Sequence, residues 1–152
     1  MLLKKSGGKD MKARMENYMD VLAFYQSGLL IMTGVFFIVN ADRVVMETEV
    51  YQSMSQLAPF EFYGIAFCLA GVLLFIGMIS EGPGQHFYYC LGSLLASILM
   101  VIYAAAGFEN TKSSITSYRY LYIAGWFIAM FSLGVLTWRL KMREHKKSKE
   151  IM

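Results

Sequence analysis

Residues 120–138, YLYIAGWFIAMFSLGVLTW, contain no Asp, Glu, Lys, Arg or His and run straight into Arg139, Lys141, Arg143, Lys146, Lys147 and Lys149. At a helical rise of about 1.5 Å per residue the stretch is long enough to cross a hydrocarbon core of about 30 Å. It reads as a membrane span. Lys and Arg in a short flanking segment resist translocation, so the basic run after it predicts a cytoplasmic C-terminus.

The remainder of the chain has the same character. Of 152 residues, 57% are hydrophobic, 15% aromatic and only 16% charged, where a soluble domain carries about 25% charged residues. A water-soluble core of this length could not hide so much apolar surface. The charges are also segregated: five of the 14 Lys and Arg lie at or before Arg14 and six at or after Arg139, leaving Arg43, Lys112 and Arg119 between them. The net charge of +3 therefore points to topology and anionic headgroups, and no nucleic-acid partner is expected.

Three more apolar runs precede the first. The spans are residues 21–39, 62–80, 87–108 and 120–138, and together they make a transmembrane domain over 21–138. A basic cytoplasmic arm, 1–20, precedes it and a basic cytoplasmic tail, 139–152, follows it. The arm lacks the cleavage site of a signal peptide, so the first apolar run is expected to be retained as a span. Within the arm, Met11, Met15, Tyr18 and Met19 fall on one face at helical spacing. Four spans return the chain to the side it left, so both termini are predicted to be cytoplasmic.

The connectors differ in kind. Ser80 to His86, SEGPGQH, carries Gly-Pro-Gly punctuation and predicts a tight turn between the second and third spans. In the loop Asn40 to Glu61, the residues Val50, Tyr51, Met54, Leu57 and Ala58 form an apolar stripe, predicting an amphipathic helix of two to three turns at the outer interface. Pro59 opens the second span and Glu61 complements its N-terminal dipole. The loop Glu109 to Arg119 is polar and rich in Ser and Thr. Tyr18, Tyr25, Tyr88, Tyr89, Phe60, Phe62, Tyr63, Tyr118, Tyr120, Tyr122 and Trp138 fall near span ends and read as interfacial anchors. The fold class is thus an all-α membrane protein, an antiparallel four-helix transmembrane bundle with a short amphipathic helix in its first outer loop.

No catalytic, cofactor or metal site emerges. The two histidines, His86 and His145, read as polar residues at span ends, and no nucleophile–base pair or phosphate loop is present. Cys68 and Cys90 differ in predicted depth by roughly 12 Å, whereas a disulfide needs Cα atoms within about 7 Å. Polar candidates for an intramembrane or rim site are Gln26, Thr33, Glu61, Ser93 and Ser97, with Glu61 placed to pair with Arg43 or Arg119. Small residues at four-residue spacing mark helix-packing strips: Ala66 and Ala70 in the second span, Gly92 and Ala96 in the third, Gly125 and Ala129 in the fourth. In lipid such strips drive association, because backbones approach closely there. They pack either the four helices of one chain or separate copies against each other.

The Met- and Lys-rich arm, the segment YQSMSQLAPFEFYG leading into the second span and the short basic tail resemble those of small four-span membrane proteins of bacteriophages and prophages, of the holin-like or exclusion and immunity-like kind. The resemblance is one of architecture. It implies a non-enzymatic multi-pass protein of a bacterial cytoplasmic membrane, acting by packing and assembly in the bilayer. An accessory subunit docking through the outer amphipathic segment, and a small channel or carrier, are the alternatives. The expected partners are the lipid bilayer, further copies of the chain or another membrane protein, with no cofactor.

Overall fold

In hydrocarbon a backbone must satisfy its own hydrogen bonds, so uncharged runs of this length that lack proline fold as helices. A computed structural model describes residues 6–47, 49–80, 83–109 and 114–150. Six helices follow one another: α1 (Ser6–Val39), α2 (Ala41–Glu47), α3 (Glu49–Leu57), α4 (Phe60–Ile79), α5 (Pro83–Glu109) and α6 (Ser114–Glu150). Four of them contain stretches long and apolar enough to cross a membrane, Tyr18–Val39, Phe60–Ile79, Gly84–Phe108 and Ser117–Arg139. These match the spans expected from sequence, each shifted or extended by a few residues.

Local chemistry sets the boundaries. Asn40 closes α1: its backbone N–H and its side-chain Nδ2 both reach the Phe36 carbonyl, at 3.0 and 3.1 Å, and its own carbonyl accepts from Arg43 N to start α2. Pro59 is the N-cap of α4, one residue before the first turn. A cap position suits proline because no helical N–H is required of it. At the far end Ser80 is extended, and its N–H still bonds to the Ile76 carbonyl at 2.9 Å.

Several loop expectations change. The first loop holds two helices, α2 and α3, instead of one. In α3 the stripe buries Val50 and Met54, and the Tyr63 hydroxyl donates to the Met54 carbonyl at 3.2 Å; Leu57, its last member, is exposed. The turn between spans is shorter than Ser80 to His86 because α5 already begins at Pro83, a residue favoured in a helix's first turn. Of the loop Glu109 to Arg119, residues 114–119 belong to α6, and 110–113, with Lys112, lie outside the described residues. The side chains of Met11, Met15, His145 and the basic tail beyond Met142 also lie outside the described residues.

The helices pack in chain order. α1 lies against α4, α4 against α5 and α5 against α6, while α1 and α6 share no extended contact. The bundle is therefore antiparallel but open along one side, and α5 is its most enclosed span. The core is apolar, but so is the surface of the spans, and a few polar side chains lie inside. Ser27, His86, Ser93, Ser97 and Thr137 are buried, whereas Leu29, Met32, Phe62, Ile65, Tyr122 and Ile128 are exposed along the spans. Water would not tolerate so much contiguous apolar surface. Lipid does.

Aromatic side chains fill the end of the bundle under α3. Phe37 lies 5.4 Å from Phe60, 5.7 Å from Phe67 and 6.2 Å from Tyr103, centroid to centroid. Tyr51 of α3 meets Phe60 at 5.6 Å and Tyr103 at 5.8 Å. Phe60 and Tyr89, expected as interfacial anchors, are only 2% and 1% exposed. Tyr63 is buried with them, while Tyr18, Tyr25, Phe62, Tyr118, Tyr122 and Trp138 do face outward. Depth along a span does not specify direction around it, so nearness to a span end fails to separate anchor from core.

Candidate functional site

The seam between α1 and α4 is built on glycine. A Cβ on Gly34 would stand 2.5 Å from the Gly64 carbonyl oxygen and 2.7 Å from Cys68 N, and one on Gly71 would stand 2.8 Å from the Ser27 carbonyl oxygen. Ser27 and Gly34, like Gly64 and Gly71, are one heptad apart, the repeat of a left-handed crossing. Between α4 and α5, Gly92 faces the Ala70 carbonyl and the Leu74 side chain, both 3.0 Å from its Cβ position. Between α5 and α6, Gly134 abuts Cys90 Sγ at 2.9 Å.

The residues expected to pack helices divide into two groups. Ala70, Gly92 and Ala96 are buried in the seams and Ala66 is half-buried beside them. Gly125 and Ala129 join no seam: both are exposed on α6, and nothing lies within 4 Å of a Cβ on Gly125. Gly28 on α1 is open in the same way. Gly34, Gly64 and Gly71 were not among the residues picked out by spacing, although their heptad interval is visible in the sequence. A search at four-residue spacing passes over it.

The polar candidates do not converge. Thr33 Oγ1 donates to the Leu29 carbonyl at 2.8 Å, and Ser93 Oγ donates to the Tyr89 carbonyl, so each hydroxyl is held by its own helix. Ser97 is buried, and Glu61 is exposed at the start of α4 without an ion pair to Arg43 or Arg119. Gln26 Oε1 is buried with no hydrogen-bond partner among the described residues. It shares a stripe of α1 with Leu30, Thr33 and Phe37. The five residues thus occupy different faces and depths instead of lining one path.

Two polar pins unforeseen in the sequence sit toward the terminal end of the bundle. Asp20 Oδ1 accepts from the Tyr89 hydroxyl and from Gln85 Nε2, the latter at 3.4 Å, tying α1 to α5. His86, expected at a span end, is 1% exposed inside α5, with Nδ1 3.2 Å from Thr137 Oγ1. Thr137 Oγ1 also lies 2.8 Å from the Leu133 carbonyl oxygen. A hydroxyl has one proton, so with that proton on the carbonyl, Thr137 accepts from His86 Nδ1–H and joins α6 to α5. His86 is buried because the helix starts earlier than the Gly-Pro-Gly sequence suggests.

Cys68 and Cys90 are free thiols in different seams, Cys68 Sγ facing the Ile31 carbonyl of α1 and Cys90 Sγ the Phe131 carbonyl of α6. Among the described residues no group of three His, Cys, Asp or Glu side chains is placed to hold a metal ion.

The open side of the bundle holds a cleft of about 490 Å³ between α1 and α6. Leu29 and Thr33 form one wall and Tyr120 and Ile123 the other, with Phe67 and Met100 behind them and Tyr51 of α3 at one end. Tyr103 borders the same space, its ring centroid 4.2 Å from that of Tyr120. A shallower hollow on α6, bounded by Tyr118, Arg119 and Tyr122, shares Ile123 with the cleft. The volume is that of a small-molecule site, about 300–1,000 Å³, but the walls are apolar and open sideways. No family model matches the chain, and no curated protein or solved structure matches it either.

Proposed function

We propose that the protein acts without covalent chemistry, by assembling with further copies of itself in the bilayer of a bacterial cytoplasmic membrane, with both termini on the cytoplasmic side. The observation that carries this reading is the vacancy at Gly125. The seam glycines of the bundle meet a neighbouring helix, whereas Gly125 and Gly28 have open space where a Cβ would go. They lie on α6 and α1, the two edge helices, each with one extended neighbour. Joining α1 of one copy to α6 of the next would continue the antiparallel order already present within the chain. Such a head-to-tail contact closes into a ring or runs on as an open array.

This mode of action is the one implied by the likeness to holin-like and exclusion or immunity-like proteins, in which packing within the membrane is the activity. The aromatic filling around Phe37, Phe67 and Tyr103 argues against conduction through a single chain, so any permeability would come from the assembly. The apolar face of α3 is spent on its own bundle through Val50 and Met54, which weakens the case for α3 as a docking surface for another subunit.

Crosslinking tests the reading. With Cys68 and Cys90 replaced by Ala, the pair Gly28→Cys and Gly125→Cys should give a ladder of dimer, trimer and higher species in membranes, while either single substitution should not. In the otherwise unchanged chain, Gly125→Leu should abolish the oligomer in mild detergent and any change in membrane potential or growth that expression produces. A monomer in mild detergent with no ladder in membranes would refute the proposal.

A further inference from the structure

We infer that the cleft between α1 and α6 is a phospholipid site, with one acyl chain between the helices and the phosphate on Arg119. Three observations meet there. The cleft walls, Leu29 and Ile123 among them, are apolar and open laterally where the hydrocarbon of a bilayer would lie. From Phe36 to Leu29 the α1 wall covers about 10 Å of depth at 1.5 Å per residue, a length suited to an extended chain rather than a compact ligand. At the upper end of the α6 wall stands Arg119, near the start of the span, exposed and without a carboxylate partner among the described residues.

The charge is the discriminating feature. Arg119 and the cleft are joined through Ile123, which lines both the cleft and the hollow around Arg119. An amphiphile entering the cleft tail-first therefore brings its headgroup to a guanidinium, whose planar fork matches phosphate oxygens. A neutral tail would leave that cation unmatched. A helix from a second copy could also fill the apolar walls, and the test below separates that occupant from a lipid. On α6 Gly125 lies away from Tyr120 and Ile123 around the helix, whereas on α1 Gly28 lies one turn from Met32 of the cleft wall, so lipid occupancy and oligomer are read separately.

The test uses the full chain, purified in mild detergent, stripped of lipid and titrated with phosphatidylglycerol or with diacylglycerol of the same chains. Native mass spectrometry reads occupancy. The expected result is one phosphatidylglycerol bound per chain, with diacylglycerol about fivefold weaker, the contribution of one interfacial cation. Arg119→Gln should remove that preference, and Leu29→Trp, which fills the cleft from an exposed wall position, should remove binding of both. Circular dichroism and gel filtration of each variant check that it is folded, and Thr33→Trp provides a second filling variant should Leu29→Trp fail to fold. Equal binding of the two lipids, or binding indifferent to both Arg119→Gln and the filling variants, overturns the inference. Loss of an oligomer with lipid occupancy unchanged in Leu29→Trp would assign the cleft to a second copy instead, and overturns it equally.

Discussion

Gly34→Ala places a methyl group at the tightest point between α1 and α4. Its carbon would lie 2.5 Å from the Gly64 carbonyl oxygen, 2.5 Å from Cys68 Sγ and 2.7 Å from Cys68 N. The thiol can rotate away, but the two backbone atoms cannot. To reach the ordinary limit of 3.4 Å, α1 must withdraw by about 0.9 Å, and a gap of that size forfeits a quarter to a half of each dispersion contact it opens. Overpacking of this kind costs about 1–3 kcal/mol. Alanine's better helix propensity returns up to about 1 kcal/mol, so the expected net loss is centred near about 1 kcal/mol and reaches about 2 kcal/mol. Gly125→Ala is the matched control, because it meets nothing within 4 Å and should be neutral or slightly stabilising in the monomer. Equilibrium unfolding in mixed micelles of mild detergent and dodecyl sulfate, followed by far-UV circular dichroism, measures both. If Gly34→Ala unfolds at the same detergent fraction as the parent, or Gly125→Ala unfolds earlier than Gly34→Ala, the close-packed seam is misplaced.

Tyr89→Phe removes the hydroxyl whose proton Asp20 accepts; because Asp20 is only half-buried, the expected loss is about 1.5 kcal/mol, the low end for a bond to a charged group, measured in the same micelle titration. Met54→Ala empties a fully buried position under α3 and should cost about 2–3 kcal/mol, with limited proteolysis reporting earlier cleavage between α2 and α4. Oxidation of the folded chain with copper phenanthroline should form no Cys68–Cys90 disulfide, because the thiols face different seams; a faster band on a non-reducing gel that reverts on reduction would contradict this. Reporters fused to the two ends should both be active on the cytoplasmic side, and activity on opposite sides would break the four-span topology.

The spans were legible because bilayer thickness and the cost of ionised groups act on every residue of a segment, and residues 120–138 satisfy both constraints by composition alone. The amphipathic helix of the first loop was legible for a similar reason, through the spacing of Val50, Tyr51 and Met54. Helix-to-helix register was not. In lipid an apolar residue is at ease on either face, so the binary pattern that orients a helix in water is absent. Ala70 and Gly125 therefore look alike in sequence, yet one is sealed in a seam and the other stands open. Depth judged from the apolar run puts Asp20 and His86 at span ends, whereas α1 and α5 extend past the run and bring both side chains into contact with the bundle.

The pairing order has a consequence for how the chain is made. The two most extensive seams, α1 with α4 and α5 with α6, each join consecutive spans, and the halves meet through the smaller seam of α4 with α5, helped by the Asp20 bonds from α1 to α5 and the contact of α3 with α5. Each hairpin can thus form as soon as its second member leaves the insertion machinery, with no wait for a distant segment. Severed in the turn at Ser80 and produced as two polypeptides, the molecule should still reconstitute, because the cut crosses no pairing that a single half needs for itself.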